Sequence, residues 1–138
     1  MKSYEIIPHV ADVRLQAKGA SLDQLFENAL EGMNRILCKD YDRFLNKHLF
    51  AKEIAITAYD TTSLLIDFLS EVLTLSHIHK AIFYSIDRLE IYGNSLNARI
   101  LGVKIEKFME DIKAVTYHEA EVRKNDEGQY ETMIVFDI

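Results

Sequence analysis

The stretch IFYSIDRLEIYGNSLNARILGVKI, Ile82–Ile105, decides the fold. Two apolar-rich runs, Ile82–Tyr92 and Leu96–Ile105, flank Gly93-Asn94, a two-residue hairpin signal. Along the first run the apolar parity switches from Ile82, Tyr84 and Ile86 to Leu89 and Ile91, which a β-bulge accounts for. The same pattern recurs downstream. Lys113–Arg123 and Gln129–Asp137 flank Asn125-Asp126-Glu127-Gly128 and predict a second hairpin with a longer loop. Upstream, Val13–Lys18 alternates with Val13, Leu15 and Ala17 on one face, and Phe50–Tyr59 carries Phe50, Ile54 and Ile56 on one parity. Pro8 lacks an amide donor, so the segment before it is an edge strand or a turn.

Two helices interrupt the strands. Ser21-Leu22-Asp23-Gln24 reads as a capping box, and Leu22, Leu25, Phe26, Ala29, Leu30, Met33, Ile36 and Leu37 follow at helical spacing. A second helix starts near Thr61-Thr62-Ser63, carries Leu64, Leu65, Phe68, Leu69, Val72 and Leu73 as an apolar stripe, and ends near His77-Ile78-His79-Lys80. The order predicts an α+β fold, with two helices packed on mostly antiparallel β-sheets.

The chain has 138 residues, which predicts a single domain over 1–138 with a core of its own. Nearly half its residues are apolar and only one is proline, against disorder. One cysteine, Cys38, excludes an internal disulfide and points to a reducing, cytoplasmic setting; its place in a helical stripe makes it a packing residue. No run approaches the roughly 20 apolar residues of a membrane span, and the first residues do not read as a signal peptide. A net charge of −6 argues against direct nucleic-acid binding and suits a metal ion or a basic protein surface. Gly-rich phosphate loops, a Gly-x-Ser-x-Gly elbow and a Cys/His zinc pattern are all missing.

Three places hold residues that could carry chemistry. In His9-Val10-Ala11-Asp12 the polar pair flanks two small apolar residues, and Asp12 is either a turn former or a ligand. In Lys113–His118, Lys113 is either a snorkelling edge residue or a functional cation, and His118 either a hydrogen-bonded core residue or a reactive one. The closing Val135-Phe136-Asp137-Ile138 places Asp137 beside the carboxylate of Ile138. Two such negative charges repel unless solvent screens them or a cation joins them. Oxygen donors suit calcium or magnesium, and Asp12 would add a third.

The ordered set HVAD, the capped amphipathic helix, LLIDFLSEVLTLS, IKAVTYH and the closing VFDI resembles the archease family, from His9 to Ile138. Val10 stands where many members carry threonine, and their Gly-Glu turn is replaced at Gly102-Val103. The resemblance implies an archease-like fold and a non-catalytic accessory protein of the RtcB-type RNA ligase in tRNA splicing or RNA repair. Such a protein promotes formation of the ligase–guanylate intermediate and multiple turnover. The resemblance also implies a divalent metal, calcium first and magnesium or manganese as alternatives, on Asp12, Asp137 and Ile138. Lys113, His9 and His118 are the candidates for ligase activation. Two other function classes stay open: a metal-dependent small hydrolase or phosphate-handling enzyme using the same carboxylates, and a general chaperone-like protein-binding module.

Overall fold

Gly93 adopts a φ of 56° while Asn94 stays outside the positive-φ region. This is the type II′ pattern, whose twist matches two antiparallel strands. It joins β4 (Ala81–Tyr92) to β5 (Ser95–Lys104), with Tyr92 opposite Ser95. The expected bulge is a pair of register shifts, between Phe83 and Ser85 and between Ile86 and Arg88. On its other side β5 pairs with β3 (Leu49–Thr57), completing a three-stranded sheet of order β3-β5-β4. A computed structural model describes residues 3–8, 12–47 and 49–138.

The second sheet has β1 (Tyr4–Pro8) at its edge, as Pro8 suggests. Next come β2 (Asp12–Gly19), β8 (Tyr130–Asp137) and β6 (Ala114–Thr116), and β7 (Arg123–Lys124) also pairs with β8. All these pairings are antiparallel. β8 is therefore central, with β2 on one side and β6 and β7 on the other.

Helix α1 (Leu22–Leu37) is capped as expected. The Ser21 hydroxyl accepts from the Gln24 amide at 3.2 Å, while the Gln24 carboxamide reaches back to the Ala20 N–H at 2.9 Å. Helix α2 (Thr61–His79) is capped by Asp60, whose carboxylate accepts from the Ser63 amide at 2.7 Å. At its C-terminus the Lys104 ammonium donates to the His79 carbonyl at 2.8 Å, satisfying an acceptor that the helix leaves open. The helices meet through Phe26 and Phe68, ring centroids 5.8 Å apart. α1 lies on β2 and β4, and α2 on β3, β4 and β6, so the helices join the two sheets. Phe26, Phe68, Phe83 and Phe136 are fully buried between these layers, each stabilising the fold by about 1.5–3 kcal/mol through apolar burial alone.

Two strand expectations need correction. Phe50–Tyr59 ends at Thr57, because Ala58 and Tyr59 form the entry to α2 and bond to Asn94: the Ala58 amide donates to its carbonyl and its side-chain amide donates to the Tyr59 carbonyl. Lys113–Arg123 is not one strand; it splits into β6 and β7. Between them Glu119 takes a φ of 63°, the Glu121 amide donates to the Thr132 hydroxyl at 2.9 Å, and the Val122 amide donates to the Thr62 hydroxyl at 2.9 Å. Side-chain acceptors thus take the place of ladder carbonyls, and the period-two pattern loses its meaning after Thr116.

Candidate functional site

Alternation along β2 turns Leu15 and Ala17 into the core and puts Asp12 and Arg14 on the opposite face. On β8, Ile134 and Phe136 are core residues, which puts Asp137 on the outer face with Asp12. The register places Asp12 and Asp137 directly opposite one another. On its other side Asp137 is opposite Ala114, and the Lys113 amide donates to the Asp137 carbonyl at 2.7 Å. Buried Phe136 fixes the strand end that carries Asp137 and Ile138.

The fold thus brings Asp12 together with Asp137, Ile138 and the backbone of Lys113, all more than 100 residues further along the chain. The Lys113 side chain is exposed, and among the described residues no carboxylate is paired with it. His118 is not the core histidine of a continuous strand. Its side chain is 71% exposed, and its Nε2 lies 3.5 Å from Glu119. His9 falls outside the described residues.

Two charged residues that the motif reading passed over complete the site. Arg14 Nη1 contacts Glu119 Oε2 at 2.6 Å, and Arg14 Nε lies 3.9 Å from Asp12 Oδ1. A line of charged side chains therefore runs from Asp12 through Arg14 to Glu119, with the His118 imidazole beside its far end. The signal for Arg14 was available: a residue two positions beyond Asp12 in a strand shares its face. Glu119 had none, because its position depends on the irregular turn between β6 and β7.

That turn is held from several sides. The Ala120 amide donates to the Tyr117 carbonyl at 3.1 Å, and the Thr116 hydroxyl donates to the Val135 carbonyl at 3.0 Å. The Tyr117 phenol donates to the Asp67 carboxylate on α2, and this bond holds its pKa above the usual value near 10.

The donor chemistry at the strand end fits a hard cation. Directly opposed carboxylates on adjacent strands repel, and two carboxylates with a main-chain oxygen are the ligand type of calcium or magnesium. Among the described residues no group of three or more His, Cys, Asp or Glu side chains is placed to hold a metal ion; a main-chain oxygen of Ile138 would be the third donor beside the two carboxylates. Cys38 is buried, and that burial raises its thiol pKa, in keeping with a packing role. Among the described residues no helix is long and apolar enough to cross a membrane.

Two antiparallel sheets joined by two helices, with an acidic pair at the end of the central strand, define a small α+β protein class. A model of the Archease protein family matches residues 4–138. A protein archease from Methanosarcina barkeri is 34% identical over 145 residues, spanning 99% of this chain and 97% of its own. One from Pyrococcus abyssi is 28% identical and covered in full. The solution structure of a Methanobacterium thermoautotrophicum protein matches with a TM-score of 0.78 at 25% identity, over the whole of both chains. A Thermotoga maritima crystal structure, described as an archease and possible chaperone, matches with a TM-score of 0.63 at 24% identity, over 96% of this chain and 94% of that one. The chain belongs to the archease family.

Proposed function

We propose that this protein is a metal-binding accessory factor that activates an RtcB-type RNA ligase and does not itself turn over a substrate. The observation that carries this reading is the direct opposition of Asp12 and Asp137 across the β2–β8 ladder. Membership of the archease family supports an accessory role, and the description of the Thermotoga maritima relative as a possible chaperone supports action on another protein.

Asp12, Asp137 and Ile138 would hold a divalent ion, calcium first by the preference of oxygen donors. Bound there, the ion supplies concentrated positive charge next to phosphate oxygens or ligase carboxylates. The chain's own contributions are separate from that. β2 and β8 fix the carboxylates in register. The Lys113 amide orients the Asp137 main chain. The exposed Lys113 ammonium is left able to reach a phosphate or an acidic group on the ligase. Since guanylate transfer is catalysed largely by positioning and charge neutralisation, a protein that presents an ion and a lysine at the ligase's active-site mouth can accelerate it.

The test is guanylation of the cognate ligase, measured by transfer of labelled GMP, with wild-type protein, Asp137→Ala and Lys113→Ala. Wild type is expected to raise both the rate and the number of turnovers, and both variants to lose most of the gain. Full activation by Asp137→Ala would remove the metal from the mechanism. Nucleotide hydrolysis by the pure protein without ligase would favour the small-hydrolase reading instead.

A further inference from the structure

The Asp12–Asp137 pair carries its own competing cation. Arg14 follows Asp12 on the same face of β2, and its guanidinium is shared unequally: Nη1 is 2.6 Å from Glu119, whereas Nε is 3.9 Å from Asp12. Arg14 and Glu119 are only partly exposed, with side-chain accessibilities of 27% and 35%, so their pairing is less screened than that of a fully solvated pair. Glu119 reaches Arg14 from a left-handed backbone with a φ of 63°. That conformation is unfavourable for a non-glycine residue and persists only where its surroundings enforce it. Here they do: the turn is fixed by the Glu121 amide on Thr132, the Val122 amide on Thr62, and the Tyr117 phenol on Asp67.

We propose that Arg14 is a built-in competitor for the cation at Asp12 and Asp137, and that Glu119 draws it away, so the Arg14–Glu119 pair sets the cation affinity. This rests on the metal reading above but makes a separate claim about residues that are not ligands. With Glu119 intact, Arg14 turns its terminal nitrogens from the carboxylate pair and leaves a position for the ion. Among the described residues the acid paired with Arg14 besides Glu119 is Asp12. Without Glu119, Arg14 neutralises the pair itself, and a divalent ion must displace it.

The test is a double-mutant cycle with calcium as the probe, read by isothermal titration and by melting in EDTA. Glu119→Gln is expected to weaken calcium binding about three- to tenfold, and Arg14→Gln to strengthen it by a similar factor, the scale of one unit charge acting on a divalent ion through a largely aqueous medium. In the Arg14→Gln background, Glu119→Gln is expected to have little effect, because there is no guanidinium left to release. If Glu119→Gln weakens binding equally in both backgrounds, Glu119 acts on the ion directly and the proposal is wrong. It is equally wrong if Arg14→Gln leaves affinity unchanged or lowers it. Melting without metal separates failure of this proposal from failure of the metal reading. Arg14→Gln uncovers the Asp12–Asp137 repulsion and is expected to lower the EDTA melting temperature. If that drop occurs while neither wild type nor Arg14→Gln binds calcium, the counter-cation role stands and the metal reading falls. If the drop is missing as well, both fall. Far-UV circular dichroism of each variant establishes that it is folded.

Discussion

Asp137→Asn should change the stability of this protein in opposite directions with and without metal. In EDTA the substitution removes one of two carboxylates that face each other across the β2–β8 ladder. Cross-strand partners have Cβ atoms about 5 Å apart, and two unit charges at about 5 Å repel by roughly 0.8 kcal/mol at the dielectric of water. Arg14, 3.9 Å from Asp12, offsets part of this, leaving a net gain of about 0.5 kcal/mol. For a chain of 138 residues, 1 kcal/mol corresponds to roughly 4 °C in Tm, so the variant should melt about 2 °C above wild type. Asparagine fills the same space and does not disturb the Lys113 amide, which bonds the main-chain carbonyl. In calcium the order should reverse. At about 100 times its Kd, a ligand specific for the native state adds about 2.7 kcal/mol, or roughly 10 °C for wild type, and the variant forfeits most of it.

The assay is scanning calorimetry of both proteins in EDTA and across a calcium series, repeated in high salt. The two melting curves should cross as calcium rises. In about 1 M salt, where the Debye length falls to about 3 Å, the EDTA advantage of the variant should vanish. A variant that melts well below wild type in EDTA would show that the Asp137 carboxylate is a structural partner and not half of a repelling pair. An unchanged calcium shift in the variant would place the ion elsewhere.

Three further outcomes follow from the surrounding structure. Thr132→Val keeps the shape of a nearly buried side chain but strips the Glu121 amide of its acceptor; it should cost about 1–3 kcal/mol in urea unfolding, with loss of amide-exchange protection centred on Glu121 and Val122. Tyr117 should ionise above the usual value near 10, because the Asp67 hydrogen bond, aided by burial and by the Asp67 charge, favours the neutral phenol. Its folded pKa exceeds the unfolded one, so the stabilisation is fully present below about pH 10 and is lost as pH rises through the folded pKa; ultraviolet titration of Asp67→Asn should bring the phenol back down. Gly19→Ala should destabilise more than Gly102→Ala: a Cβ at Gly19 would press into the backbone nitrogen of Leu25, which cannot yield, whereas one at Gly102 meets side-chain rings of Phe83 and Phe50 at 2.8 and 3.1 Å. Chemical denaturation of the two variants gives the order directly.

The parts of this molecule that could be read from the chain are those whose signal is local. Gly93-Asn94 specifies its own turn, and Ser21 with Gln24 specifies a helix start, because each bond closes within four residues. Asp60 escaped notice as the cap of α2 because Thr61, Thr62 and Ser63 offer the same chemistry one to three positions later, and only the backbone conformation chooses among them. The Tyr117–Val122 turn was illegible for a stronger reason. Its Val122 and Glu121 amides are satisfied by Thr62 and Thr132, 60 and 11 residues away, so the bonds that end the strand are not visible within the segment. Asp12 and Asp137 stand out in the chain as isolated acids, each readable as a cation ligand or as a turn or solvated residue; the family resemblance joins them as ligands, and their opposition is a fact of register between the two ends of the chain. Arg14 falls between these cases. Its face follows from period two alone, but its meaning depends on Glu119, which the turn delivers. The residues that a motif names are the acids that would touch the ion. The residues that would decide how tightly those acids hold it are assembled by a loop whose conformation is set from both sides, by a helix and by the central strand.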